Sequence, residues 1–190
     1  EGTTRREFLG KVAAGTAAAG MAAGTNLAPA AAQGSSAGEK IGVGFIGCGN
    51  RGTAHMHIID YLRKKEDVPV EHVAACDVYR PRIQKAKKKY NMESGYMDHR
   101  ELLQDENVDL VCIASPDHHH GYQAIDALQA GKHVYCEKPV THWSQFNLTE
   151  RLANVAARSD CAFQLGTQAM SDSAWHQMKK LVQDGLIGKP

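Results

Sequence analysis

The sequence predicts an α/β fold built on a doubly wound parallel sheet (Rossmann topology), and three observations support this. From residue 42 onward, short apolar runs alternate with longer segments of helical periodicity. The apolar runs are continuous, which is typical of strands buried on both faces. The first run leads directly into a glycine-rich turn and a helical segment. These features indicate helices on both faces of the sheet and a ligand crevice at the carboxyl ends of its strands.

The elements follow one another in strand–helix order. The predicted strands cover residues 42–46, 70–76, 108–114, 133–136 and 161–165, with a short extended piece at 95–96. The predicted helices cover residues 52–65, 80–90, 98–105, 118–130 and 143–158. Each helix is long enough to cross from the end of one strand to the start of the next parallel strand.

The turn after the first strand has the Gly47-x-Gly49-x-x-Gly52 spacing of a dinucleotide-binding site. Gly47 allows a sharp turn, and Gly49 removes the Cβ that would block a pyrophosphate. Gly52 lets the new helix pack close to the strand, so that the N–H groups at its start, including those of Asn50 and Arg51, face the phosphates. The spacing alone is a weak signal, but here a strand precedes it and a helix follows it.

An acidic residue, Asp77, follows the second strand 25 residues beyond Gly52. A carboxylate there accepts hydrogen bonds from the adenosine ribose hydroxyls and repels a 2′-phosphate, which favours NAD over NADP. Arg80 comes three residues later and keeps NADP open as an alternative. We therefore predict a bound NAD; the other interpretation is a tight strand–helix turn without a ligand.

A polar segment, Ser-Pro-Asp-His-His-His at residues 115–120, follows the fourth strand. Pro116 stops the strand, and Asp117 is expected to cap the next helix. Three adjacent histidines suggest a metal site, but consecutive side chains at a helix start point in different directions and cannot all reach one ion. We assign no metal ligands and predict that Ser115, Pro116 and His120 lie on the nucleotide side of the crevice, with a surface role as the alternative.

A second polar segment, Glu137-Lys138-Pro139, follows the fifth strand. A lysine at that position can bring a positive charge and hydrogen-bond donors near the nicotinamide and a substrate hydroxyl. We therefore take Lys138 as the candidate catalytic residue and Glu137 as a candidate cofactor-binding residue. The alternative is an ordinary surface lysine in a turn.

Residues 1–32 have the features of a twin-arginine export signal. Arg5-Arg6 precedes an Ala/Gly-rich stretch over residues 12–32, with small-residue cleavage sites at its end. The stretch is too short and too rich in glycine to span a bilayer stably. We predict export to the periplasm through the twin-arginine machinery, with the nucleotide taken up beforehand; the alternative is a disordered tail with a chance arginine pair.

The balance of charged residues excludes some classes of binding partner. Residues 1–32 hold three of the 22 basic and two of the 21 acidic residues, so the remainder carries 19 of each sign. This balance argues against a nucleic-acid or membrane-surface partner.

The cysteines lie where buried residues are expected. Cys76, Cys112 and Cys136 fall in apolar runs, Cys48 lies in the glycine turn, and there is no Cys-x-x-Cys pair. We predict buried free thiols rather than disulfides.

Several of these features together resemble the Gfo/Idh/MocA oxidoreductase family, which includes glucose–fructose oxidoreductase and inositol dehydrogenase. They are the fingerprint, Asp77, the segment 115–120, and Ala-Gly-Lys-His-Val-Tyr-Cys-Glu-Lys-Pro at 130–139. The similarity runs from about residue 41 to residue 190. The resemblance implies that Lys138 is the active-site lysine and that Pro139 shapes the turn presenting it. His120 matches the family's histidine after the proline of the fourth-strand loop.

The resemblance also implies a domain plan. Residues 40–165 form the nucleotide-binding domain, 33–39 a linker after the signal, and 166–190 the beginning of a substrate domain. Family members continue into a large, mostly antiparallel sheet that supplies an Asp/His pair and the usual contacts between subunits. We therefore expect a fragment of a longer protein with an incomplete active site. The full-length form is a candidate homo-oligomer.

For the whole protein, the resemblance implies NAD(P)-dependent oxidation of a sugar or polyol CH–OH group. Hydride would pass to C4 of the nicotinamide while Lys138 holds the substrate hydroxyl. Two alternatives stay open. One is an NAD-dependent glycosidase that uses transient oxidation, and the other is a non-catalytic nucleotide- or sugar-binding protein.

Overall fold

A computed structural model of the chain describes residues 40–186 and 188, and it contains one six-stranded sheet. The predicted signal and linker lie outside the described residues. The strands are β1 (Ile41–Ile46), β2 (Val70–Cys76), β3 (Ser94–Tyr96), β4 (Leu110–Ile113), β5 (His133–Glu137) and β6 (Phe163–Gly166). All neighbours are parallel, in the order β3-β2-β1-β4-β5-β6. The strand order reverses between β1 and β4, which is where an open α/β sheet forms its ligand crevice.

The first five helices connect successive strands as predicted, although their ends differ by a few residues, and a sixth helix follows β6. They are α1 (Asn50–Lys65), α2 (Arg80–Tyr90), α3 (His99–Leu103), α4 (Asp117–Gln129), α5 (Phe146–Arg158) and α6 (Ser173–Gln183), with a 3₁₀ turn at Gln168–Ser171. Helix α1 begins two residues before Gly52, at Asn50. The first turn of the helix therefore lies next to Gly49.

The predicted cap at Asp117 is wrong. Asp117 is the first residue of α4. The N-cap residue is Pro116, whose backbone is extended and whose side chain makes no capping hydrogen bond. The carbonyl of Pro116 accepts a hydrogen bond from the His119 N–H at 2.9 Å, so the helix begins one residue earlier than the spacing indicated. Side-chain caps are found instead at Asp98 and Asp172, which accept from the backbone N–H two residues on.

Both faces of the sheet are covered by apolar side chains, as a doubly wound fold requires. On one face, α1 and α2 contribute Met56, Ile59, Ile83, Ala86 and Tyr90. On the other face, α3, α4 and α5 contribute Leu102, Leu103, Ala124, Ile125, Leu128, Leu148 and Leu152. Complete burial of one such side chain stabilises the fold by about 1.5–3 kcal/mol, so these two layers fix the strands that carry the polar loops.

The thiols lie in these layers. Cys48, Cys76, Cys112 and Cys136 are free and buried, which confirms the prediction made from their apolar surroundings. Burial raises the pKa of all four thiols to about 12. They are therefore protonated near neutral pH. Among the helices that the structure describes, none has the length and apolarity needed to cross a bilayer.

Candidate functional site

The predicted polar residues meet at the carboxyl edge of the sheet. The β1–α1 turn, the β4–α4 loop and the segment after β5 surround a cleft of about 340 Å³. Its lining consists of Arg51, Ala114, Ser115, Asp117, His120, Glu137, Lys138 and Gln168. The cleft thus brings together five of the predicted site residues, although up to 87 sequence positions separate them. They are Arg51, Ser115, His120, Glu137 and Lys138.

The three fingerprint glycines meet different requirements. Gly47 has φ +90°, and a Cβ there would lie 2.6 Å from the backbone of Ala114. A Cβ on Gly52 would lie 1.8 Å from the carbonyl oxygen of Gly47, so the close packing of α1 on the turn requires glycine. A Cβ on Gly49 would meet nothing closer than the guanidinium of Arg82 at 3.9 Å. The fold therefore requires Gly47 and Gly52, whereas the space over Gly49 is open to a ligand.

The start of α1 supplies hydrogen-bond donors beside that space. Thr53 N–H donates to the Gly49 carbonyl at 2.8 Å, which is the first bond of the helix. The N–H groups of Asn50, Arg51 and Gly52 precede it and have no acceptor within the helix. The first turn carries no acidic side chain, so no residue of the helix itself offsets the positive end of its dipole. The turn therefore suits the pyrophosphate of a dinucleotide.

Asp77 lies directly beside this turn. Its side chain is almost fully buried, and its Oδ2 accepts from Cys48 N–H at 2.8 Å while Oδ1 accepts from Tyr79 N–H at 2.9 Å. These bonds fix the carboxylate at the end of β2, where the adenosine ribose of a dinucleotide lies in this fold. A carboxylate has about four acceptor positions, so two remain for ribose hydroxyls.

Two arginines follow Asp77, and they lie in different places. Arg80 extends to the sulfur of Met97, with its Nη2 3.3 Å from Sδ. Arg82 Nη1 lies 3.7 Å from Asp77 Oδ2, and the guanidinium sits 5.8 Å from the centre of the Tyr79 ring. The sequence argument considered Arg80 and missed Arg82. The one available signal was the spacing of Tyr79 and Arg82, which places both on one face at the start of α2.

Glu137 connects three elements around the cleft. Its Oε1 accepts from Arg51 Nε at 2.7 Å and from His55 Nε2 at 2.8 Å, both on α1. Its Oε2 accepts from Gln168 Nε2 at 2.8 Å, in the segment after β6. Sequence reasoning missed His55 and did not assign Gln168 to the site. The four-residue spacing of Arg51 and His55 could have indicated only that both lie on one face of α1.

The charges of this group follow from its contacts. Burial by itself would raise the pKa of Glu137, but the hydrogen bonds from Arg51 and His55 outweigh it and hold the pKa below its ordinary value. Burial lowers the pKa of His55, despite the opposing contact with Glu137. Near neutral pH, therefore, an ionised Glu137 accepts a hydrogen bond from a neutral His55, which donates through Nε2.

His120 holds two loops of the cleft together. It is 2% exposed, and its Nδ1 and Nε2 lie 2.7 Å from the carbonyl oxygens of Pro139 and Ser115. Both carbonyls can only accept, so each of these hydrogen bonds needs an N–H of the imidazole ring as its donor. The other two histidines of the run, His118 and His119, are exposed. Within residues 40–186, no group of His, Cys, Asp and Glu side chains has an arrangement that could hold a metal ion.

Lys138 is exposed and lines the same cleft, one residue after the buried Glu137. A larger surface groove of about 640 Å³ lies between α4 and α5, lined by residues such as Leu128, Arg151 and Arg158. None of the predicted site residues lines that groove. The smaller cleft at the carboxyl edge is therefore the better candidate, because it gathers the fingerprint helix, Glu137 and Lys138.

Comparison with known proteins agrees with this geometry. Residues 41–167 match a family described as an oxidoreductase family with an NAD-binding Rossmann fold. The chain belongs to the Gfo/Idh/MocA family. The match covers the whole sheet, from β1 to the residue after β6. The prediction of NAD as the cofactor is confirmed by this family fold.

The proteins similar to this chain carry names that describe different reactions. Myo-inositol 2-dehydrogenase of Thermotoga maritima is 33% identical over 150 residues, which covers 78% of this chain and 42% of the relative. Alpha-N-acetylgalactosaminidase of Shewanella oneidensis is 33% identical over 158 residues, covering 72% of this chain and 33% of the relative. The crystal structure of scyllo-inositol dehydrogenase from Lactobacillus casei, with NAD(H) and scyllo-inositol bound, is 31% identical with a TM-score of 0.71. That match covers 79% of this chain and 43% of the other, so the chain spans less than half the length of these relatives.

Proposed function

We propose that the whole protein is an NAD-dependent oxidoreductase that oxidises a CH–OH carbon of a polyol or sugar. The observation that carries this proposal is the position of Lys138, which lines one cleft with Arg51 of the fingerprint helix. The inositol dehydrogenases among the similar proteins support a polyol as the substrate class.

The residues of the cleft suit this reaction. The open space over Gly49 and the free N–H groups at the start of α1 fit the pyrophosphate, and Asp77 fits the adenosine ribose. Bound NAD supplies the hydride acceptor. Lys138 donates a hydrogen bond to the substrate hydroxyl oxygen and stabilises the negative charge that develops on it.

Glu137 has a different task from its neighbour. Three side chains already donate to its carboxylate, and its pKa is held below the ordinary value, so it is a poor proton acceptor. We therefore assign Glu137 to holding α1 and β5 in register beneath the cofactor. The base that takes the hydroxyl proton belongs, in this proposal, to the substrate domain that the family resemblance implies.

The test uses the purified whole protein with inositols and common sugars. Formation of NADH is followed by absorbance, and the organic product is identified. We expect a ketone or lactone in equal amount to the NADH formed. Absence of both products with every polyol and sugar tried would contradict the proposal.

A glycosidase is the second candidate, because one similar protein is named alpha-N-acetylgalactosaminidase. In that reaction a sugar hydroxyl would be oxidised transiently with NAD as the hydride acceptor, which would acidify the neighbouring C–H. Elimination would then release the aglycone, water would add to the resulting enone, and the hydride would return to the carbonyl carbon. Release of free aglycone without lasting NADH would favour this candidate over net oxidation. If neither product forms although NAD binds, the third interpretation applies, a non-catalytic nucleotide- or sugar-binding protein.

We also propose that residues 1–32 direct twin-arginine export to the periplasm and that NAD travels bound. The proposal rests on Arg5-Arg6 and the Ala/Gly-rich stretch that follows. Replacing both arginines (Arg5→Lys, Arg6→Lys) should retain the protein in the cytoplasm, as measured by cell fractionation. Unchanged export of this variant, or exported protein that carries no nucleotide and binds NAD weakly, would contradict the corresponding part of the proposal.

A further inference from the structure

The guanidinium of Arg82 lies at the junction of the two cofactor-binding features. It is the nearest group to the space over Gly49, at 3.9 Å from the position of an added Cβ. It is also 3.7 Å from the Asp77 carboxylate. That distance is longer than a hydrogen bond, so the donors of the guanidinium remain available to another acceptor. Its side chain is 53% exposed and can therefore adjust to a ligand.

The positive charge of Arg82 counteracts the repulsion between the Asp77 carboxylate and the 2′-phosphate of a nucleotide. A lone carboxylate beside the adenosine ribose would repel a 2′-phosphate. Here the carboxylate is nearly buried and accepts from two backbone N–H groups, while the cation of Arg82 lies 3.7 Å from Oδ2, the oxygen that also accepts from Cys48 N–H. The end of β2 therefore offers acceptors for ribose hydroxyls and, next to them, a planar group of donors that suits a phosphate.

We propose that Arg82 is the specificity-determining residue that permits this NAD-binding site to accept NADP. The proposal rests on the NAD-binding fold and adds to it a contact between the guanidinium and the 2′-phosphate. Arg80 does not fill this position, because its guanidinium extends to Met97. The two side chains leave α2 on different faces, because residues two positions apart in a helix do not face the same side.

The test measures NAD and NADP affinities by calorimetric titration of the wild type and three single variants. Arg82→Ala is the test variant, Arg80→Ala replaces the rival arginine, and Lys88→Ala is a charge-matched control on the exposed face of the same helix. We expect Arg82→Ala to lower the affinity for NADP by about tenfold or more relative to any change in the affinity for NAD. A loss of this size corresponds to one charge-assisted contact with a phosphate. Arg80→Ala and Lys88→Ala should leave the ratio of the two affinities within about twofold of the wild type.

Four results would overturn the proposal. Equal losses of NAD and NADP in Arg82→Ala would mean that the guanidinium meets only the pyrophosphate common to both. A larger change in the ratio for Arg80→Ala would assign the role to the rival arginine. A wild type that binds NAD but no NADP would overturn the role of Arg82 alone, whereas binding of neither nucleotide would overturn the cofactor assignment as well.

Discussion

Glu137 and Lys138 are neighbours in the chain, but they face different surroundings. Glu137 is the last residue of β5, and its buried carboxylate accepts hydrogen bonds from α1 and from the segment after β6. Lys138 is the next residue and is exposed in the cleft. The anchored residue thus fixes the backbone from which the lysine extends, and a substitution of Lys138 should affect the chemistry without disturbing the contacts of Glu137.

Lys138→Ala in the whole protein should leave NAD affinity nearly unchanged and lower turnover by about 10²-fold or more, the usual effect of losing one positioned acid–base or oxyanion group. Lys138→Arg should not restore turnover, because a planar guanidinium does not replace a compact ammonium in a tight site. Steady-state kinetics and NAD titration check both expectations. Normal turnover in Lys138→Ala would make Lys138 a surface lysine.

At the scale of elements, the fit between β1 and α1 depends on Gly52. An added Cβ would lie 1.8 Å from the Gly47 carbonyl oxygen, so the helix or the turn must shift. Gly52→Ala should therefore destabilise the chain by about 1–3 kcal/mol, as overpacking does. Gly49→Ala is the matched control, and it should stay within about 0.5 kcal/mol of the wild type because the space there is open. Denaturant unfolding measures both, and equal stability of the two variants would contradict the close packing.

The contact between α1 and β5 predicts a dependence of stability on pH. The pKa of His55 in the folded chain lies below its ordinary value of 6.5, so as the pH falls through 6.5 the unfolded chain takes up a proton first. Stability should therefore decrease below pH 6.5 until the folded pKa is reached. His55→Gln keeps a donor for Glu137 but does not titrate.

Melting temperatures of the wild type and His55→Gln between pH 8 and pH 5 test this expectation. The wild type should lose more stability over that range than the variant. His72, whose pKa burial also lowers, contributes to both proteins equally and cancels in the difference. The contribution of Glu137 is retained above its ordinary pKa of 4.5 and is lost only below it, outside the range. Parallel curves would show that His55 is not held neutral by burial.

At the scale of the whole molecule, the parts predicted correctly are those with a local signal. The parallel, doubly wound sheet follows from the strand–helix alternation and the handedness of crossovers, and the glycine turn follows from the spacing of three residues. The contact of Glu137 with Arg51 and His55 joins residues 86 and 82 positions apart, which no local pattern reveals. Which of Arg80 and Arg82 lies beside Asp77 depends on the residue at which α2 begins. Which residue caps α4 depends on the first carbonyl that accepts a helical hydrogen bond.

The central claim is that the carboxyl edge of this sheet binds NAD over the open backbone of Gly49. Calorimetric titration of NAD into the wild type and into Gly49→Val, with the melting temperature of each, tests it most directly. A Cβ at Gly49 would meet only the guanidinium of Arg82, a flexible and half-exposed side chain, at 3.9 Å, whereas a valine side chain would occupy the position of the pyrophosphate. We expect one NAD per wild-type chain, and no measurable binding by a variant that melts at nearly the same temperature. Equal NAD affinity in the two proteins would contradict the claim and make the fingerprint a structural turn only.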